Sequence, residues 1–344
     1  MRISKAHILR RVYSIPEIRF EDQRLSSYAG MVVIQELFKR LQLRGRLKSC
    51  FLHLKSSAVV GLHVITLLLI VHLMLGYRRL REMERYKEDP LVLRALGLSR
   101  LPDVSTVSRR LSELDKESIR RVREVNRDLV LEPLVSMGPT RLTMDFDGSV
   151  LSTGRIAEGT AVGFNKKKKG QRSYYPLFCT IAQTGQVLDL YHRPGNVHDS
   201  NGAEQFILNR IGNIRSVLPA VKLEARLDAA FFADKHVQML DNEGVEFTIS
   251  VPFERFTELK AMIEARKRWR PLDGTWSYFD TDLSPGCLDR KFRFIFIRQK
   301  VKRQNKAPVQ LDLFTPHEVG YDFKVIVTNK RSSARNVLRF HNGR

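Results

Sequence analysis

Two aspartates separated by one residue, Asp145 and Asp147, stand in the segment MDFDGS. Side chains alternate faces along a strand, so these carboxylates share one face. The flanking Leu142, Met144 and Phe146 make the segment apolar. Paired carboxylates there cost free energy unless a cation neutralises them. Hard carboxylate oxygens suit Mg2+ or Mn2+. The plainer alternative is a strand end with two solvated aspartates before a turn at Gly148. Asp228 lies in a second apolar segment, LEARLDAAFF. A carboxylate near the C-terminal end of such a strand sits at the ligand-binding edge of an open α/β sheet. Its alternative is to cap the next helix. If the two strands are neighbours, the carboxylates gather at one edge. Two-metal phosphoryl transfer needs that arrangement: one cation activates the attacking oxygen and the other stabilises the leaving one.

The charge balance agrees with a phosphate-rich substrate. The chain has 344 residues, 59 basic and 37 acidic, for a net charge of +22 and a pI of about 10.2. A polyanionic partner fits better than a small-molecule substrate. Lys166, Lys167, Lys168 and Lys169 lead on to Arg172, beside Tyr174 and Tyr175. Such a run makes salt-dependent, sequence-tolerant phosphate contacts, unless it is only a solvated loop. Arg298 to Lys306 is a weaker example. His192, His198 and Asp199 form a hydrogen-bonded loop more readily than a ligand set. Trp269 and Trp276 read as packing, with stacking on an unpaired base as the alternative. Cys50, Cys179 and Cys287 are too scattered for a metal site or a disulfide framework. The N-terminus is basic and lacks the apolar core of a signal peptide.

At 43% hydrophobic residues the chain can bury a core, with length for roughly two domains of about 150 residues each. Residues 1–138 read as a helical, DNA-binding region. Ala29 to Leu41 presents Val33, Leu37 and Leu41 on one helix face. Ser56 to Tyr77 holds no charge and is long enough to cross a bilayer. A helix buried in a helical domain is preferred, and no stable membrane association is expected. Asp89-Pro90 starts a short helix that Gly97 ends. In LPDVSTVSRRLSELD, Val104, Val107, Leu111 and Leu114 form one stripe, and Ser105, Thr106, Ser108, Arg109 and Arg110 lie opposite. This resembles a helix-turn-helix with Arg109 and Arg110 toward DNA, or an ordinary amphipathic helix. Lys116 to Leu134 is a longer helix.

From Gly138 the period changes. Strands are expected at Arg141 to Leu151, Tyr174 to Gln183, Gln186 to His192, Lys222 to Phe232 and Glu246 to Pro252. Helices are expected at Asn201 to Leu218, with Asn201 and Glu204 as a capping box, and at Asp234 to Glu243 and Glu254 to Arg268. The fold class is therefore α/β: a helical N-terminal domain, a mixed sheet over residues 139–268, and a β-rich insertion over 269–330.

The order of these segments resembles the DDE transposases of bacterial insertion sequences. MDFDGSVL is similar to that family's first catalytic strand. KKGQRSYYPLFCTIAQTGQVLDLYHRPGNVHDSNGA is similar to its next two strands, ARLDAAFF to its second catalytic strand, and VLRFHNGR to the approach to its third motif. The resemblance runs from about Phe20 to Arg344. It implies a ribonuclease H-like catalytic fold, Mg2+ or Mn2+ as two ions, double-stranded DNA as partner, a homodimer joining two element ends, and a cytoplasmic, nucleoid-associated protein. It assigns Asp147 as first catalytic ligand with Asp145 as neighbour and possible co-ligand, and Asp228 as second. Leu227 stands where the family usually has glycine, and Ala229-Ala230 follow. The third ligand should be a glutamate on a helix just after FHNGR. The sequence stops at Arg344, and Glu258, Glu264 and Glu318 lie in the wrong context. Residues 331–344 then begin a truncated final catalytic helix. Hydrolysis and strand transfer are the implied activity, with a catalytically inactive DNA-binding remnant as the alternative.

Overall fold

The computed structural model describes residues 26–54, 60–153, 157–163, 168–198, 201–286, 288–300 and 321–344. The chain divides into two units, Met1–Val125 and Asn126–Arg344.

The first unit is helical: α1 (Met31–Arg40), α2 (Leu43–Cys50), α3 (Leu62–Met74), a 3-10 turn (Leu80–Arg85), α4 (Pro90–Leu96) and α5 (Val104–Leu111). A longer helix, α6 (Lys116–Met137), begins in this unit and ends in the next. α3 carries the uncharged run, and Ile65, Leu68 and Val71 are fully buried. Its 13 residues span about 20 Å, short of a bilayer core of about 30 Å. Among the described residues no helix is long and apolar enough to cross a membrane. Asp89 caps α4 through Leu91 N and Val92 N, and Gly97 ends it at φ +65°.

α1 turns a different face inward from the one expected. Met31 and Phe38 are buried, whereas Val33 is 71% and Leu37 43% exposed. Apolar residues occur on both sides of this helix, so periodicity could not choose between them. The helix-turn-helix expectation also changes. Residues 97–103 separate α4 from α5, and α5 packs on α3 and the 3-10 turn. A tight connection of three to four residues is absent.

The second unit is built on a nine-stranded sheet in the order β6-β5-β1-β7-β8-β12-β11-β10-β9. Its first five strands are β1 (Arg141–Gly148), β5 (Leu177–Ile181), β6 (Gln186–Tyr191), β7 (Lys222–Leu227) and β8 (Glu246–Val251). β1, β5 and β6 pair antiparallel, and β7 and β8 run parallel to β1. The crossovers are α7 (Ala203–Val217) and α8 (Asp234–Asn242). This is the ribonuclease H-like arrangement expected. After α9 (Thr257–Ala265), four more strands extend the sheet beyond β8: β9 (Arg270–Asp273), β10 (Trp276–Leu283), β11 (Phe292–Lys300) and β12 (Tyr321–Thr328). α10 (Ala334–Asn342) closes the order. A small sheet of β2 (Leu151–Ser152), β4 (Arg172–Tyr174) and β3 (Ala161–Val162) grows from the C-terminal end of β1.

Three local expectations shift. The strand over 174–183 breaks at Pro176, which has no N–H for a ladder, so its ends join different sheets. The strand over 222–232 stops at Leu227, because Asp228 Oδ1 accepts from Ala230 N and starts a 3-10 turn. The capping box at Asn201 is absent, and α7 instead starts after Gly202 at φ +71°.

Period-two alternation gives the parallel strands two unlike faces. Leu142, Met144, Phe146, Ala225, Leu227, Phe247 and Ile249 point into the main core with Ile207, Ile211 and Ile214 of α7. The other face carries Arg141, Thr143 and Asp145, then Glu224 and Arg226, then Glu246, Thr248 and Ser250. At its N-terminal edge, Arg141 Nη1 donates to Glu224 at 2.8 Å and to Glu246 at 2.9 Å. Lys330 Nζ donates to Glu246 at 2.7 Å and also to Glu224. Burial pushes the Glu246 carboxyl upward, but hydrogen bonds from Lys222, Lys330 and Arg141 hold it at about 2. α10 covers the polar face. Its apolar side, Ala334, Val337 and Leu338, packs on Leu272, Ile295, Ile297 and Ile326.

Candidate active site

The alternation that puts Asp145 and Asp147 on one face also puts Arg226 there. Arg226 is the register partner of Asp145 on the neighbouring strand. Its Nε and Nη2 each donate to an Asp145 carboxylate oxygen at 2.6 Å, and Arg226 is only 6% exposed. The charge of Asp145 is therefore met by a buried, bidentate guanidinium. A protein cation is thus the partner of this carboxylate in the structure. Arg226 Nη1 also donates to Phe340 O at 2.8 Å, near the end of α10. The last carbonyls of a helix lack internal partners and carry partial negative charge, so a cation suits them. A side chain at Gly343 would bring its Cβ within 2.8 Å of Arg226 Nη1, so glycine keeps this contact open.

Asp147 and Asp228 come together. Arg344 Nη2 lies 3.3 Å from Asp147 Oδ1 and 4.0 Å from Asp228 Oδ2. One carboxylate from the end of β1 and one from just beyond the end of the neighbouring parallel strand β7 thus face one cation at the C-terminal edge of the sheet. Asp228 also fills its alternative role, since its Oδ1 caps the 3-10 turn. The hard carboxylate oxygens of the two aspartates are of the type that suits Mg2+ or Mn2+. Among the described residues, no group of three His, Cys, Asp or Glu side chains is placed to hold a metal ion. Glu258 and Glu264 are exposed on α9, and Glu318 lies outside the described residues.

His341 fastens the end of α10 to the sheet. Its Nδ1 meets Thr248 Oγ1 at 3.0 Å and its Nε2 meets Ser250 Oγ at 2.9 Å. Burial, with the cations Lys324, Arg344 and Arg226 nearby, lowers its pKa from 6.5 to about 3. Unfolded, this imidazole takes a proton near pH 6.5, and folded only near pH 3. Its contribution to stability is present above about pH 6.5 and is lost as pH falls toward 3. His341→Gln should therefore flatten the fall in melting temperature between pH 6.5 and 4. An unchanged pH profile in the variant would refute this assignment.

The basic residues are placed unequally. Lys168 and Lys169 are exposed at the turn before β4, and Lys166 and Lys167 lie outside the described residues. Arg172 is half-buried and braces the small sheet: its Nε donates to Thr160 Oγ1 at 3.0 Å and its Nη2 to Thr160 O. Arg109 is exposed, but Arg110 is 8% exposed and paired with Glu113. His192 packs on Tyr174 at 4.5 Å, the His198 carbonyl accepts from Arg193, and Asp199 lies outside the described residues. Trp269 packs edge-on against Phe279 at 4.8 Å under Arg298, and Trp276 packs beside Ile295 and Ile297. The remainder of the basic stretch, residues 301–306, is outside the described residues. Cys50 and Cys179 are buried free thiols, and Cys287 is not among the described residues.

Sequence reasoning missed Arg226, His341 and Arg344. The available signal was Arg226, a charge inside an apolar strand two residues before Asp228.

The family model for the transposase DDE domain, group 1, matches residues 13–271. The chain belongs to this family. DDE transposase therefore describes its class, and the ribonuclease H-like half of its sheet, from Arg141 to Val251, falls within the matched region. No curated protein sequence matches it. Among solved structures, it is similar to piggyBac transposase in a synaptic complex with hairpin DNA, at 10% identity and a TM-score of 0.44. That match covers 91% of this chain and 65% of the piggyBac chain, so this chain spans under two thirds of that protein. It is also similar to Mos1 transposase in a paired-end complex with the left transposon end, at 12% identity and a TM-score of 0.23, covering 57% of this chain and 60% of that one. A Mos1 mariner paired-end complex with Mn gives 11% identity and a TM-score of 0.23, covering 70% and 71%.

Proposed function

We propose that this DDE transposase acts on the ends of a bacterial insertion sequence by metal-dependent phosphodiester hydrolysis and strand transfer. The observation that carries the reading is the convergence of Asp147 and Asp228 on one cation. In this reading the two aspartates hold Mg2+ or Mn2+. The bound ions would supply charge neutralisation for the attacking and leaving oxygens. The chain's own residues do the rest. Asp228 is oriented by its cap to Ala230 N, and Asp147 projects from the last turn-ward residues of β1. Arg226 takes up the charge of Asp145 and seats the end of α10 beside the pair. The partner is double-stranded DNA, held by a homodimer that joins two element ends in the bacterial cytoplasm.

The test incubates the protein with element-end DNA and Mg2+ or Mn2+, with EDTA as control. Metal-dependent nicking supports the enzyme. DNA binding that persists in EDTA without any nicking favours a protein that binds DNA without cutting it.

The exposed Lys168 and Lys169, with Arg109, are the proposed phosphate contacts. Arg110 and Arg172 are engaged inside the protein and contribute less. Replacing Lys168 and Lys169 with alanine should lower the slope of log affinity against log salt by about 0.9 per lysine. An unchanged slope would remove them from the interface.

A further inference from the structure

The end of α10 is pinned before Arg344 is reached. Arg226 Nη1 holds Phe340 O at 2.8 Å, His341 bonds both Thr248 and Ser250, and Lys324 Nζ donates to Asn342 Oδ1 at 2.8 Å. The position of the next residues is therefore set by a braced helix. From there the Arg344 guanidinium, 26% exposed, reaches both Asp147 and Asp228. Two carboxylates facing one point repel each other, and this cation offsets the repulsion.

We propose that Arg344 is a built-in occupant of the divalent-cation seat. It balances Asp147 and Asp228 when no metal is bound, and it moves aside as a metal ion enters. The proposal rests on the reading of these aspartates as metal ligands. An arginine does not shed its proton in a protein, so it leaves by moving and not by titrating. Metal binding therefore includes the cost of breaking the Arg344 contacts. The same contacts keep the carboxylate pair assembled beforehand.

The experiment titrates Mn2+ into the metal-stripped full chain, with free Mn2+ read by electron paramagnetic resonance. Wild type, Arg344→Ala, Arg344→Lys and Asp147→Asn are compared, with melting temperatures in EDTA at low salt. Arg344→Ala should bind Mn2+ about fivefold more tightly, the upper range for a partly exposed ion pair. It should melt below wild type in EDTA and gain more from added Mn2+. Arg344→Lys keeps the charge and should stay near wild type, and Asp147→Asn should lose binding. Unchanged Mn2+ affinity in Arg344→Ala overturns the proposal, and if Asp147→Asn still abolishes binding, the metal-site reading survives it. If wild type and Arg344→Ala both fail to bind Mn2+, the metal-site reading falls and takes the proposal with it. Arg344 follows the last helix and is buried in neither core, so its replacement leaves the fold intact.

Discussion

Asp147→Asn and Asp228→Asn are each expected to lower metal-dependent strand cleavage by about a thousandfold or more, with the protein still folded. Both side chains are substantially exposed at the sheet edge, 57% for Asp147 and 39% for Asp228, so little packing is lost. What is lost is a fixed negative oxygen aimed at the shared cation. Preorganised electrostatic groups of this kind are worth about a hundred- to a thousandfold each, and loss of a metal ligand removes at least that much. Removing one carboxylate relieves its repulsion with the other but also removes its contact with Arg344, so each variant should melt near the wild-type temperature without metal. The measurement is nicked product over time on element-end DNA, alongside a thermal melt. Wild-type nicking by either variant would exclude the two-aspartate mechanism.

Arg226→Met, by contrast, should act through stability first. It leaves Asp145 beneath α10 without its bidentate partner and leaves Phe340 O without its donor. Breaking a buried pair by removing one member costs about 3–5 kcal/mol. For a unit of this size that lowers the melting temperature by about 10 °C. Replacing both members, Asp145→Leu with Arg226→Met, should recover much of the loss, because no uncompensated charge stays buried. The single and double variants, melted side by side, decide the point. Equal melting temperatures for wild type and Arg226→Met would mean that the pair does not hold the strands and α10 together. This separates the two neighbouring aspartates by experiment: Asp147 through activity, Asp145 through stability.

Much of the order was legible beforehand. β-strand alternation in RLTMDFDG, the apolar stripe Ile207, Ile211 and Ile214, and the Asp89 and Gly97 signals each depend on residues close in the chain. Errors fell where local signals were balanced or where a distant partner decided. α1 has apolar residues on both sides, and only the packing of Met31 and Phe38 selects one. Pro176 divides an expected strand between two sheets, which needs both sheets to exist.

The candidate site divides along the same line. From sequence alone came two aspartates on one strand face, a third on another strand, a strongly basic chain and the family those motifs resemble. All of these follow from residue type and from a side-chain period of two. The family resemblance put Asp147 ahead of Asp145, but spacing gives both the same chemistry, and only the tertiary structure sets Asp145 opposite Arg226 in the parallel register. Only the tertiary structure brings Arg344 to Asp147 and Asp228. Those contacts join chain segments far apart in sequence, and no local rule encodes which distant charge will meet a given carboxylate. That choice follows from the register of β1 against β7 and from the seat of α10 across them.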